Sequence, residues 1–387
     1  MSHAYLPISI AGSVRRLGGG LCLALALSAC GGSGSDSSGP PAGSTAEARQ
    51  AYLTSHIDAV LASRQKAADP GLSIVVIKNG VVTYSRSKGM ADLGRNSAIS
   101  ENTVFELASL TKPITALAVM QLRDANLLAL TDPVTKWLPQ LPSAWTGITI
   151  HQLLSHQSGI PDYMSNILPS EVKLLDGKTN DDLLARFAAD GHVNFGPGTK
   201  SEYSNSNYLL LAEIIARASG RSYAQYLQER VFTPLGMRST YVFGSGVPQP
   251  GVEALNFARS VKPNPYDSTF ATVGPIGVHS SAADLTLLVR ALAAGQVVPM
   301  TTLTAMTSAQ SGRAINTSGE FYGYGWYVPA GAAPLTVFAH TGQLDGFHHI
   351  IYADQTKELY YIVLENGGDA TASVAAEVKK FVLTTYN

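Results

Sequence analysis

Ser109-Leu110-Thr111-Lys112 leads straight into Pro113-Ile114-Thr115-Ala116-Leu117-Ala118-Val119-Met120-Gln121-Leu122. That following run is apolar on nearly every side, which predicts a buried helix rather than a surface one. Serine is favoured at a helix start, and proline is tolerated in a first turn. A serine and a lysine three apart share a helix face. A lysine held against a serine hydroxyl in a dry pocket can lose its proton and act as a base. The same four residues allow a plainer reading, in which Ser109 merely caps the helix and Lys112 reaches out to solvent. The rest of the chain has to decide between the two.

Toward the N-terminus, two strand-like runs, 72–78 and 81–85, are joined by Asn79-Gly80, the strongest short hairpin signal. Residues 46–67 before them read as an amphipathic helix with Tyr52, Ile57, Val60 and Leu61 on its apolar side, ended by Asp69-Pro70-Gly71. Beyond the Ser109 helix the pattern stays helical, over 127–138, 149–156, 181–189, 207–219 (closed by Gly220), 223–231 and 280–293. Strands return at 336–340, 347–352 and 359–364, and 370–384 closes the chain as a helix. Strands at both ends and helices between them predict an α+β fold, not alternating βαβ units. The two ends are expected to pair into one antiparallel sheet with the terminal helices on a face. The middle becomes an inserted all-helical region, and the crevice between sheet and insertion is the natural place for a site.

The chain has 387 residues, 45% hydrophobic and 14% charged, with a formal net charge of −1. It carries no clustered basic face of the kind a nucleic-acid partner requires. Its first thirty residues read as an address. Arg15 and Arg16 precede a short apolar core at 21–27, and Leu27-Ser28-Ala29-Cys30 follows. A basic start, a short apolar core and small residues before a cleavage point describe a secretory signal rather than a transmembrane helix. The ending resembles the bacterial lipoprotein signal, whose cysteine is lipidated and becomes the new N-terminus. Residues 1–29 are therefore expected to be a signal peptide and 30–45 a flexible Gly/Ser-rich tether. Residues 46–387 would form the folded domain, lipid-anchored through Cys30 at a membrane of the cell envelope. Cleavage removes Cys22, so no internal disulfide is possible. It also removes two of the 27 basic residues and none of the 28 acidic ones, leaving a net charge of −3.

Two further stretches bear on the chemistry. Tyr203-Ser204-Asn205 follows Phe195-Gly196-Pro197-Gly198 and is expected on a loop, and His340-Thr341-Gly342 closes a strand. With Ser109-x-x-Lys112, and in this order, the set resembles the penicillin-recognising serine hydrolases. That superfamily holds D-alanyl-D-alanine carboxypeptidases, serine β-lactamases and related carboxylesterases. Leu153-Leu154-Ser155-His156-Gln157-Ser158-Gly159-Ile160-Pro161, Pro234-Leu235-Gly236-Met237 and Tyr322-Gly323-Tyr324-Gly325-Trp326 also look like the family, so the resemblance spans about residues 50–385. It implies a β-lactamase/transpeptidase-like fold and a Ser109 nucleophile that forms an acyl-enzyme.

A serine hydroxyl needs a base to take its proton, and Lys112 and Tyr203 are the candidates. Tyrosine is a usable base only if a cation lowers its pKa from about 10, and Lys112 could supply that charge. Which of the two acts in which step stays open. By the resemblance, Asn205 holds a substrate amide carbonyl, and the backbone N–H groups of Ser109 and Gln343 form the oxyanion hole. Gly342 would then be needed because a side chain there would crowd the acyl group. Thr341 lines the same wall. His340 departs from the lysine usual in β-lactamases. An imidazole charged only below about pH 6.5 predicts that substrates with a free carboxylate bind better in acid.

His156 reads as a satisfied structural histidine, and His348 and His349 as strand residues on opposite faces. Tyr163, Phe270, Tyr322 and Trp326 are cleft walls or core, and the remaining walls come from 162–180 and 244–272. No cofactor or metal is expected, because no histidine has partners at ligand spacing. The leading expectation is a D-alanyl-D-alanine carboxypeptidase-like enzyme on cell-wall peptides that reacts with β-lactams. The alternatives are a carboxylesterase, a small-amide or D-amino-peptide hydrolase, and a non-catalytic lipoprotein that binds peptidoglycan.

Overall fold

The computed structural model describes residues 39–164, 177–246, 251–255, 271–329, 336–344 and 346–386. Cys30, the signal segment, Phe270 and most of the wall loops lie outside them. The hairpin forms as β1 (Leu72–Lys78) and β2 (Val81–Lys88), with Asn79 at φ 51° and Gly80 at φ 73°. Both turn residues at positive φ match the twist of the flanking strands, which is why Asn-Gly suits this turn. Five short strands follow: β3 (Met90–Asp92), β4 (Ser97–Ala98), β5 (Phe105–Glu106), β6 (Tyr241–Val242) and β7 (Val278–Ser280). The last five are β8 (Phe321–Tyr322), β9 (Tyr327–Val328), β10 (Val337–Leu344), β11 (Phe347–Asp354) and β12 (Leu359–Glu365).

As expected, the two ends of the chain make one sheet. Its seven antiparallel strands run β2-β1-β12-β11-β10-β9-β8, and β1 meets β12 from Leu72 opposite Glu365 to Lys78 opposite Leu359. Leu72, Ile74, Val76, Tyr361 and Val363 face the helices Ala46–Arg64 and Asp369–Tyr386, which pack on each other. Val75, Ile77, Ile351, Ile362 and Leu364 face the helical region. Covered on both faces, β1 carries four apolar residues in a row, Ile74 to Ile77, rather than an alternating pattern.

On the far side, Thr111–Asp124 packs against Asn205–Ser219, and every residue from Thr111 to Met120 is buried. The helix expected over 127–138 shrinks to Val134–Trp137. Pro133 is extended, and the Asp132 carboxylate takes the Ala129 N–H and Trp137 Nε1 in place of helical bonds. The helix expected from 280 starts at Ala282, with Ser281 capping it through the Asp284 N–H. Two differences move the site. The strand expected to end at 340 continues to Leu344, so His340, Thr341 and Gly342 lie inside β10. A small sheet ordered β5-β7-β6 also sits beside Ser109, from strands of two or three residues that are too short for a sequence signal.

Candidate active site

Ser109 lies in a single 3-10 turn, Ala108–Leu110, that runs into the Thr111–Asp124 helix. It does not cap that helix, since no side-chain cap bond is made there. Its hydroxyl faces Lys112 instead. Ala108, just before it, has φ 49°, a left-handed conformation that costs an alanine roughly 1 kcal/mol. The Ala108 N–H donates to Glu106 Oε2 at 2.7 Å.

Lys112 does not reach solvent: it is fully buried. Its Nζ lies 3.0 Å from Ser109 Oγ, 2.7 Å from Asn205 Oδ1 and 3.0 Å from the Pro275 carbonyl. Burial pushes its pKa down to about 7, against the opposing charges of Asp162 and Glu106. A neutral amine has two N–H donors and one lone pair. The two carbonyl oxygens can only accept, so they take the two N–H groups and leave the lone pair facing the Ser109 hydroxyl. A serine in that position can hand its proton to the lysine.

Asn205 opens the Asn205–Ser219 helix rather than sitting on a loop. Its Nδ2 donates to both oxygens of Asp162, at 3.2 and 3.0 Å. A carboxylate only accepts, so this pair fixes the amide with Oδ1 toward Lys112. Both ends of the amide are thus engaged inside the protein, whereas the resemblance implied a contact with substrate. Asp162 was not singled out as a site residue from the sequence. It directly follows Pro161, the last residue of the family-like stretch, and opens the 162–180 segment named only as cleft wall.

Tyr203 packs against His156 with ring centroids 4.4 Å apart and the rings tilted by 35°, and Lys112 Nζ lies 4.7 Å from its ring centroid. Its hydroxyl is turned toward Ser109. Burial, reinforced by Tyr327, holds the phenol well above its ordinary pKa, and only the neighbouring Ser109 hydroxyl pulls the other way. The sequence allowed a tyrosinate stabilised by a lysine cation. Here Lys112, with its pKa near 7, carries only part of a charge at neutral pH, and burial keeps Tyr203 a phenol.

His340 differs most from expectation. It is buried, its Nδ1–H donates to the Thr341 carbonyl at 2.8 Å, and its Nε2 accepts from the Tyr322 hydroxyl at 2.9 Å. Burial and the nearby Lys112 push its pKa down to about 3, against the Thr341 carbonyl. The imidazole is therefore neutral at pH 6.5 and both its nitrogens are occupied. The expected acid-side gain in carboxylate binding loses its basis. A Cβ on Gly342 would lie 2.3 Å from the Leu107 carbonyl, so the glycine is required where β10 crosses the chain leading to Ser109. That carbonyl, not an acyl group, is what a side chain there would strike. Thr341 is partly exposed beside it. Gln343 is exposed at the mouth, with its Nε2 3.3 Å from His348.

His156, read as fully satisfied, is satisfied at one nitrogen. Its Nδ1 accepts from the Ser204 N–H and Asn207 Nδ2, while Nε2 is buried with no hydrogen-bond partner among the described residues. His349 and His348 do take opposite faces, one buried and one half-exposed. Trp326 packs on Phe338 in the core, and the Tyr163 hydroxyl meets Thr272 Oγ1 at 2.8 Å inside the protein. Both are core rather than wall.

This geometry can be set beside known proteins. The Beta-lactamase family model matches residues 57–382. Penicillin-binding protein 4* of Bacillus subtilis is 30% identical over 310 residues, covering 75% of this chain and 67% of that one. Esterase EstB of Burkholderia gladioli is 31% identical over 366 residues, covering 82% and 91%. Among solved structures, the octameric penicillin-binding protein homologue from Pyrococcus abyssi superposes with a TM-score of 0.73 at 25% identity, covering 86% and 77%. EstCE1, a hydrolase with promiscuous acyltransferase activity, shares the fold with a TM-score of 0.72 at 22% identity, covering 87% and 99%. A buried lysine held on a serine hydroxyl, in a chain matched over this length, leaves one assignment: the protein belongs to the β-lactamase family and is a serine hydrolase.

Proposed function

We propose that the protein is a carboxylesterase working through a Ser109 acyl-enzyme. Lys112 takes the Ser109 proton as Oγ attacks the ester carbonyl. The neutral Tyr203 hydroxyl, beside Ser109, passes a proton to the departing alkoxide and is replenished from Lys112. The alcohol leaves, a serine ester remains, and water cleaves it to the acid and free Ser109. The backbone N–H groups of Ser109 and Gln343 hold the oxyanion. The observation that carries the choice of ester is His340, neutral and occupied at both nitrogens. A terminal carboxylate, as on a D-alanyl-D-alanine peptide, gains no cationic partner from it. An activated ester is easy to expel and does not need one.

A second reading, D-alanyl-D-alanine carboxypeptidase activity on cell-wall peptides with β-lactams as acylating agents, is supported by the similarity to penicillin-binding protein 4*. The Leu27-Ser28-Ala29-Cys30 ending further supports export and lipid anchoring through Cys30, which would hold either activity in the cell envelope.

The test offers the purified enzyme p-nitrophenyl butyrate, a D-Ala-D-Ala peptide and a penicillin, following turnover and intact mass for wild type and Ser109→Ala. Ester turnover lost in Ser109→Ala, with no peptide cleavage, is the expected result. A penicilloyl adduct together with peptide cleavage would replace the esterase reading by the carboxypeptidase one. Inactivity toward all three would point to a binding lipoprotein.

A further inference from the structure

Glu106 lies three residues before Ser109 and, beyond its charge felt at Lys112, has no part in the chemistry above. Its carboxylate is buried, and each oxygen receives one backbone N–H: Oε2 from Ala108 at 2.7 Å and Oε1 from Gly277 at 2.9 Å. The two donors belong to different parts of the chain, and each adjoins a reacting group. Ala108 precedes Ser109 and is held at φ 49°, where an alanine does not rest unaided. Gly277 is two residues beyond Pro275, whose carbonyl receives Lys112 Nζ.

The base of the Glu106 side chain is equally fixed. Glu106 pairs with His279 between β5 and β7, and its carbonyl bonds His349 Nε2 at 2.8 Å. Leu107 donates its N–H to the Val278 carbonyl at 2.9 Å. The carboxylate therefore spans two backbone segments from an anchored position.

We propose that Glu106 is a positioning residue for the hydrolase. Its carboxylate clamps Ala108 in the left-handed conformation and ties it to the Pro275–Gly277 segment, which keeps Ser109 Oγ and Lys112 Nζ within hydrogen-bond reach. Two N–H donors need two acceptors, and only a carboxylate of this length supplies both. A carboxamide offers one acceptor and sets an NH2 group against the other N–H. The proposal rests on Ser109 as nucleophile and Lys112 as base.

The experiment compares wild type, Glu106→Gln, Ala108→Gly, the double variant and Ser109→Ala. It measures kcat and KM on p-nitrophenyl butyrate, and the rate of covalent labelling by a fluorophosphonate. Glu106→Gln is expected to lower kcat and the labelling rate by about a hundredfold, with KM within about threefold of wild type. Glycine holds this φ without a clamp, so the double variant should recover about tenfold of the loss. A residue that merely supported the core would show no such rescue.

The clamp is overturned if Glu106→Gln keeps its kcat, or if the deficit is the same in the Ala108→Gly background. Should Glu106→Gln fail to fold, the double variant decides. The clamp requires it to fold and label, and a double variant that stays unfolded overturns it. Activity surviving in Ser109→Ala would bring down the nucleophile reading instead, and is told apart because Glu106 is intact there.

Discussion

Tyr322 donates its hydroxyl to Nε2 of His340 at 2.9 Å, and this bond decides what the His340-Thr341-Gly342 strand can offer a substrate. With Nδ1 spent on the Thr341 carbonyl, the ring presents neither a free N–H nor a charge. KM for an ester carrying a free carboxylate should therefore stay flat between about pH 5 and about pH 8, where an ordinary imidazole would titrate. Initial rates across that range check it. A KM that falls several-fold toward acid would mean His340 does charge.

Lys112 gives the opposite expectation for kcat/KM. Burial holds its pKa at about 7, and only the neutral amine can take the Ser109 proton. The rate should rise with pH through about 7 and then level off. A profile already flat from about pH 5.5 upward would remove Lys112 as the base.

Asp162 sets both the orientation of Asn205 and part of the field at Lys112. Its charge raises the lysine pKa, so its loss lowers it. Asp162→Asn should move the acid limb of kcat/KM to lower pH while kcat drops about tenfold, because the Asn205 amide is free to turn its NH2 toward the amine. Pre-steady-state and steady-state pH profiles of the variant would read both effects. A limb that moves to higher pH contradicts the assignment.

Gly342→Ala places a methyl group 2.3 Å from the Leu107 carbonyl. Either β10 or the chain leading to Ser109 must move. The expected result is a stability loss of about 1–3 kcal/mol with kcat reduced about a hundredfold. Urea unfolding and ester kinetics measure the two separately, and unchanged kinetics would show that β10 can shift freely.

Acid stability follows from three buried histidines. His340 and His349 have pKa values held at about 3, and burial holds His156 well below the ordinary range. Above about pH 6.5 folded and unfolded chains are both neutral at these positions. Below it the unfolded chain binds protons that the folded one refuses, so stability is lost as pH falls toward about 3. Each histidine contributes up to about 1.4 kcal/mol per pH unit. Urea midpoints at about pH 7, 6, 5 and 4 should fall steadily, and His349→Gln should flatten the fall. A wild-type midpoint that holds through this range would refute it.

Much of this was legible in the sequence because it is local. Asn79-Gly80 fixes the hairpin, and the all-round apolar run after Lys112 fixes a buried helix. The spacing of Ser109 and Lys112 gives a shared face and, once buried, the 3.0 Å contact. What stayed hidden depends on partners far along the chain. Nothing near Glu106 announces Gly277, nothing near Asn205 announces that Asp162 will turn its amide, and the neutrality of His340 comes from its burial in β10 and the nearby Lys112. The tyrosinate allowed for Tyr203 failed for the same reason, since burial of the ring raises its pKa and weakens the lysine charge it relied on.

The pairing of β1 with β12 has a consequence for the birth of the molecule. During synthesis Ser109 and Lys112 emerge long before β10, β11 and β12 exist, so the nascent chain carries its nucleophile with no wall opposite it. Contacts between such distant residues form late, because their loop-closure entropy must be met first. A chain stopped short of Leu359 lacks the partner of β1. The same delay leaves a growing chain unfolded for longer, the state in which a polypeptide can be threaded through a narrow translocation channel.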